Sequence, residues 1–214
     1  MKKTIQEKFW SSKFGREYVS RNIFDPKGLD KLYLTNFGIS RSKLNKEFLD
    51  RLKIKNILEV GCNIGNQLAL LQKQGFKKLY GIEIYPEAVE RAKLHTKNIN
   101  VIQGSAFDIP FKDKYFDLVF TAGVLIHINP KDLKKAISEI YRTSNRYIWG
   151  YEYYNPKHVA IDYRGNKNRL WKGNFCQIYL DIFPDLKIIK RKKLKYLNSE
   201  NIDEMFLLNK ISPE

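Results

Sequence analysis

Cysteine is scarce in this chain. Its 214 residues include two, Cys62 and Cys176, too few and too far apart for a disulfide framework or a zinc site. Histidine is scarcer than its usual share, with three, and no cluster of histidines or carboxylates has ligand spacing, so no metal is expected. No apolar run approaches the roughly 18 to 20 residues that a membrane span needs, and Met1-Lys2-Lys3 is followed by polar residues instead of a signal-peptide core. The expectation is a cytoplasmic protein without a membrane span. Arginine is short against lysine, 10 to 29, and valine against isoleucine, 7 to 23, a joint skew expected of AT-rich coding sequence. The formal net charge of +16 therefore reads first as composition. Its densest cluster, Lys187 to Lys195 (KIIKRKKLK), carries apolar residues at Ile188, Ile189 and Leu194 and reads as a strand with a solvated basic edge, and lysines on an edge strand discourage aggregation.

What is present is a core-forming composition, 43% hydrophobic and 14% aromatic, at a length that suits one sizeable core. Its most informative stretch is NILEVGCNIGNQLALL, Asn56 to Leu71. An apolar run carrying one acidic residue, Glu59, ends at Gly61, and helical periodicity takes over at Leu68, Leu70 and Leu71. Strand, tight turn and helix in that order put free N–H groups and a helix N-terminus just past a strand's carboxyl end, where open α/β sheets bind nucleotides. Glycine is missing where a dinucleotide fingerprint would require it: positions 61, 63 and 66 hold Gly61, Asn63 and Asn66. Asn63 is tolerable in such a turn because asparagine readily adopts positive φ.

Further strands are expected over Lys77–Ile84, Asn98–Gly104, Tyr115–Gly123 and Arg146–Glu152, with helices starting at Pro86 and Pro130. Strands alternating with helices imply a parallel sheet with right-handed crossovers. The first of these delivers Glu83 at its carboxyl end, 22 positions past Gly61 and close to the ~20-residue interval at which an acidic residue meets ribose hydroxyls. Asp117 is expected to satisfy local backbone. Before residue 53 the chain reads as a helical cap segment (1–52), with a turn at Asp25 to Gly28 and a helix over Arg41 to Leu52 capped by Ser40 or Ser42. After Glu152 come a polar-aromatic insert (152–170), an amphipathic helix over Leu170 to Pro184, and two strands at about 186–196 and 203–210 that must pair antiparallel because no helix separates them.

The motifs ILEVGCNIGN, YGIEI, INVIQGSAFDIPF and FDLVFTAGVLIHI resemble, in order and spacing, those of class I S-adenosylmethionine (SAM) methyltransferases. That resemblance implies a Rossmann-like α/β fold, a mostly parallel seven-stranded sheet closed by a C-terminal antiparallel hairpin, with the SAM-binding domain over 53–214. It implies that Glu59, Gly61, Cys62, Asn63 and Gly65 wrap the methionine half of SAM and that Glu83 holds the ribose. Ser105 and Ala106 would face adenine, where many relatives carry an aspartate, and Ile84 and Phe107 would sandwich its ring. Thr121, Ala122 and Gly123 would border the sulfonium. A narrower similarity, on FGREYVSRN, GVLIHINP, EYYNP, YRG and RLWKGNF, is to the pseudaminic acid biosynthesis-associated methylases.

This resemblance implies methyl transfer to oxygen or nitrogen of a small anionic acceptor, an acidic or nucleotide-linked sugar of surface-glycan biosynthesis. The carboxyl ends of strands four and five would carry the variable chemistry, which makes His127, Glu152 and Tyr163 candidate catalytic residues. Histidine is the natural base at neutral pH, although His127 serves equally well as a helix cap. Candidate acceptor residues are Arg16, Tyr18, Tyr153, Tyr154, Arg164, Arg169, Trp171 and Lys172, flat aromatic faces for rings and cationic groups for carboxylates or phosphates. Two alternatives stay open: an RNA (tRNA) acceptor held by Lys187 to Lys195 and the N-terminal basic residues, and a non-catalytic SAM-binding partner subunit.

Overall fold

A computed structural model describes residues 3–211; Met1 and Lys2, part of the reading against a signal peptide, lie outside the described residues. The chain builds a seven-stranded sheet in the order β3-β2-β1-β4-β5-β9-β8. The strands are β1 (Asn56–Val60), β2 (Lys78–Glu83), β3 (Asn100–Gln103), β4 (Phe116–Ala122), β5 (Ser144–Tyr153), β8 (Leu186–Lys195) and β9 (Ile202–Lys210). The first five are mutually parallel, while β9 runs antiparallel to both β5 and β8. The fold class read from the sequence is the one observed. The central strands are near-continuous apolar runs because both of their faces are covered: Ile57, Leu58 and Val60 of β1 are all buried.

One face carries α3 (Pro26–Phe37), α4 (Arg41–Leu49), α5 (Asn66–Lys73) and α6 (Pro86–His95), whose apolar residues share a core with Ile57, Leu79 and Leu118. The other carries α7 (Pro130–Thr143) and α8 (Phe175–Ile182), packed on Leu58, Val60 and Val119. Two further helices, α1 (Ile5–Trp10) and α2 (Lys13–Arg21), lie at the carboxyl edge of the sheet. Gly15 makes their close approach possible, since a Cβ there would sit 1.9 Å from the Trp10 carbonyl oxygen.

Two local readings are corrected. Asp25 to Gly28 starts a helix: the Asp25 carboxylate accepts from the Gly28 N–H at 2.8 Å and Pro26 occupies the first helical turn, so residues that also mark turns here form an N-cap. The helix expected over Leu170 to Pro184 is shorter, because Leu170–Lys172 belong to a strand and Asn174 caps α8. The insert is a hairpin of β6 (Val159–Tyr163) and β7 (Asn166–Lys172), closed by Arg164 and Gly165 with φ of 50° and 76°, a two-residue turn whose twist suits paired strands. Asp117 does satisfy local backbone, accepting from the N–H groups of Lys55 and Asn56. Among the described residues no helix is long and apolar enough to cross a membrane.

Candidate active site

Every parallel strand ends at the same edge of the sheet, and a cavity of about 460 Å³ opens there beneath α1, α2 and the hairpin turn. Its floor is the turn after β1. Gly61, Asn63 and Gly65 all have positive φ (72°, 50° and 82°), so the asparagine takes the backbone role expected of it. A Cβ on Gly61 would lie 2.6 Å from Val124 Cγ2, which leaves no room for a larger residue. Cys62 is buried with its thiol pKa pushed up, an inert packing residue.

Three side-chain oxygens around this turn, Glu59 Oε2, Asn63 Oδ1 and Gln67 Oε1, are buried with no hydrogen-bond partner among the described residues, and all three residues line the cavity. Buried acceptors left unpaired are costly, and a cationic ammonium group placed among them would satisfy them. Glu83, at the end of β2, accepts from the Asn63 N–H at 2.9 Å and the Tyr85 N–H at 3.0 Å. Burial raises its pKa and these N–H bonds partly offset that, leaving a fixed carboxylate with lone pairs to spare for hydroxyl donors. Ile84, Ala106 and Phe107 line the next part of the wall.

Ser105 is already engaged: its hydroxyl donates to Glu7 Oε1 at 2.6 Å and accepts from the Phe107 N–H. Position 105, a serine and not an aspartate, thus receives a carboxylate from α1. Glu7 also closes a capping box with Thr4, so one side chain both starts the helix and lines the cavity. The residues present fit SAM: unpaired acceptors for its ammonium, a fixed carboxylate for its ribose, and a flat apolar slot for its base.

On the acceptor side, His127 is buried and its Nδ1 lies 2.9 Å from the Arg169 carbonyl. A carbonyl only accepts, so Nδ1 carries the proton, and no described residue hydrogen-bonds Nε2. Burial pushes the His127 pKa down to about 4, which keeps the ring neutral at physiological pH. Trp10 packs edge-on against it at 4.6 Å and Tyr163 lies 5.1 Å away, with Tyr18 behind Trp10. Tyr153 and Arg164 complete the expected residues that line this end.

Several expected residues lie elsewhere. Glu152 is buried beside the cavity, but its oxygens accept from the N–H groups of Val124 and Ile126, holding the turn after β4, and it does not line the cavity. Burial raises its pKa to about 7, and the hydroxyl of Thr121, which is buried under that turn, opposes the rise. Gly65 shapes the loop from behind, against Thr96. Arg16 pairs with Tyr85 and Glu87, Tyr154 stacks under Lys193, Arg169 covers Phe9, Trp171 is in the core and Lys172 bonds Asn201. None of these five lines the cavity.

The residues that sequence reasoning missed are Glu7, Trp10, Tyr33, Gln67, Tyr151, Tyr196 and Asp203, all lining. Gln67 directly follows the glycine turn and Tyr151 adjoins the EYYNP motif; the others lie in segments without a motif.

The fold is a Rossmann-like α/β architecture of the kind seen in solved methyltransferases. Residues 58–146 match the family described as "Methyltransferase domain". Over 88 residues the chain is 32% identical to an uncharacterized methyltransferase of Synechocystis sp., covering 41% of each protein. It is 33% identical over 98 residues to norajmaline N-methyltransferase of Rauvolfia serpentina, covering 43% of this chain and 33% of that enzyme. The matches thus span less than half the length of these relatives. In structure it resembles the Burkholderia thailandensis 1,6-didemethyltoxoflavin-N1-methyltransferase solved with 1,6-didemethyltoxoflavin and S-adenosylhomocysteine (TM-score 0.69, 12% identity, 97% of this chain and 88% of that one).

Proposed function

We propose that this protein is a SAM-dependent methyltransferase that methylates oxygen or nitrogen of a small acceptor. The observation that carries the reading is the set of unpaired buried acceptors around the glycine turn, lying in one cavity with the fixed Glu83 carboxylate. When bound, SAM supplies an electrophilic methyl group. Glu59, Asn63 and Gln67 receive the ammonium end, Glu83 the ribose hydroxyls, and Glu7 with Ser105 faces the adenine edge between Ile84 and Phe107. Ala122 and Gly123 keep the reaction zone free of bulk. His127 Nε2 accepts a hydrogen bond from the acceptor's O–H or N–H and aims its lone pair; a ring with a pKa near 4 orients a nucleophile better than it stores a proton. Trp10, Tyr18 and Tyr163 close over the site and exclude water. Because Trp10 packs on both Tyr18 and His127, more than a hundred residues further along the chain, the 1–52 segment belongs to the catalytic unit and acts as its cap.

The acceptor class is the finer part of the proposal. An acidic or nucleotide-linked sugar is supported by the resemblance of YRG and RLWKGNF and by Arg164 at the cavity wall. The basic strand β8 gives an RNA acceptor little support, since Lys190 and Lys192 pair with Glu47 and Arg191 with Glu204. Release of S-adenosylhomocysteine from SAM is the assay. Turnover with a nonulosonic acid or its nucleotide-linked form supports the reading; turnover on tRNA alone overturns the acceptor class.

A further inference from the structure

Asp203 is a buried carboxylate at the start of β9, facing Tyr153 across the antiparallel pairing with β5. One oxygen, Oδ2, accepts from two phenols, Tyr151 and Tyr196. The other, Oδ1, is buried without a hydrogen-bond partner among the described residues, in a side chain that is 1% exposed and lines the cavity. Nothing in the cofactor reading uses it. In the sheet order β9 stands three strands from β1, about 14 Å at the usual strand spacing. The unpaired oxygen therefore sits at the end of the cavity away from the glycine turn, inside an aromatic wall that includes Tyr33 and Tyr153.

Resting on the methyltransferase reading, we infer that Asp203 anchors the acceptor, and that the acceptor's buried end is a small ring bearing a hydrogen-bond donor, an amine or a hydroxyl, and no anionic group. A second anion beside Asp203 would face an unpaired carboxylate in a low-dielectric wall, whereas an N–H or O–H supplies the one hydrogen bond that Oδ1 lacks. Aromatic faces around it suit a ring and favour a cation over an anion. Any carboxylate or phosphate on the acceptor then lies toward Arg164, at the exposed hairpin turn.

Charge around Asp203 is mixed. Tyr151 and Tyr153 face it from β5, Tyr196 from the β8–β9 loop, Tyr33 from α3, Arg41 from α4 and Lys172 from β7. Burial raises its pKa to about 7, against the phenol hydrogen bonds and the two cations, which lower it. Donor binding is strongest when the carboxylate is ionised, so it strengthens as pH rises through 7.

The probes are benzylamine, benzyl alcohol and benzoate, titrated by NMR into the full chain saturated with S-adenosylhomocysteine. Benzylamine is expected to bind at least tenfold more tightly at pH 8 than at pH 5.5, benzyl alcohol to follow more weakly, and benzoate to bind at least tenfold less well than benzylamine at pH 8. Tighter binding by the amine assigns an ammonium end, and tighter binding by the alcohol a hydroxyl end. Asp203→Asn should abolish the pH dependence and weaken benzylamine at least tenfold. Tyr196→Phe, which removes one bond to Oδ2 and keeps the aromatic ring, should move the pH midpoint upward. Benzoate binding as tightly as benzylamine, a flat pH profile, an unmoved midpoint in Tyr196→Phe, or no binding of any probe overturns the inference. Saturable S-adenosylhomocysteine binding alongside such a result leaves the methyltransferase reading standing; its absence brings down both.

Discussion

The two ends of the cavity are built by different means. The cofactor end comes from the carboxyl ends of the first four strands, β1 to β4, and its residues lie within the stretch Glu59 to Gly123 apart from Glu7. The acceptor end is assembled from α1, α2, α3, the β4–α7 turn, the β6–β7 hairpin and β9, segments almost two hundred residues apart. The first is fixed by backbone: positive-φ turns and N–H groups clamped on Glu83. The second is fixed by side chains, an aromatic cluster and a buried carboxylate. A backbone-built end tolerates few changes and keeps one ligand, whereas a side-chain-built end changes specificity without disturbing the turn. The family match, residues 58–146, takes in the cofactor end apart from Glu7 and, of the acceptor end, only the β4–α7 turn.

Breaking the first end should have the largest effect. Glu83→Ala removes the ribose carboxylate and unpairs the Asn63 and Tyr85 N–H groups, and should weaken S-adenosylhomocysteine by about 1.5 to 3 kcal/mol for each charge-assisted bond lost. Calorimetry checks this, and unchanged affinity would remove the ribose assignment. Glu152→Ala tests whether the turn between the two ends is structural. Leaving the Val124 and Ile126 N–H groups unpaired should cost about 1 to 3 kcal/mol in urea unfolding. Glu152→Gln, which keeps an acceptor oxygen, should recover part of that and retain turnover. A stable Glu152→Ala protein with no activity would instead make Glu152 catalytic.

At the acceptor end, Gly15→Ala should push Trp10 off the cavity, since the new Cβ meets its carbonyl. The expected cost is about 1 to 3 kcal/mol, the range for overpacking, together with a rise in KM for the acceptor that exceeds the change for SAM. Equal changes in both would show that α1 serves the whole cavity. The smallest effect is a pH slope. His127 takes its proton at about pH 4 in the folded state and near its ordinary value of 6.5 when unfolded. The unfolded chain binds the extra proton between those values, so this contribution is complete above pH 6.5 and is lost as pH falls toward 4, at up to about 1.4 kcal/mol per pH unit. His127→Gln should flatten the stability profile over that window; an identical profile would mean that the ring is not buried.

The same division governs what the sequence made legible. Gly61, Asn63 and Glu83 announce themselves because turn chemistry and an interval of about 20 residues are local properties of a chain. Asp203 does not, because its neighbours Tyr151, Tyr196 and Tyr33 become neighbours only through strand pairing and helix packing. Arg169 and Trp171 share an aromatic and basic composition with a binding surface and, two positions apart, the same face of a strand, yet packing lays one over Phe9 and sends the other into the core. Asp25 and Pro26 show the limit of local chemistry itself, since the same pair opens a turn or a helix depending on whether Leu29 and Tyr33 find a core, as they do here. Leu170 and Trp171 show it again: a short apolar run suits strand or helix, and pairing with Ile161 and Ala160 decides.

The central claim is that the turn after β1 and Glu83 together hold a sulfonium nucleoside. Isothermal titration of the full chain with S-adenosylhomocysteine tests it directly. Saturable one-to-one binding, lost or strongly weakened in Glu83→Ala, is the result predicted; no saturable heat at millimolar ligand in the folded wild-type protein would contradict it.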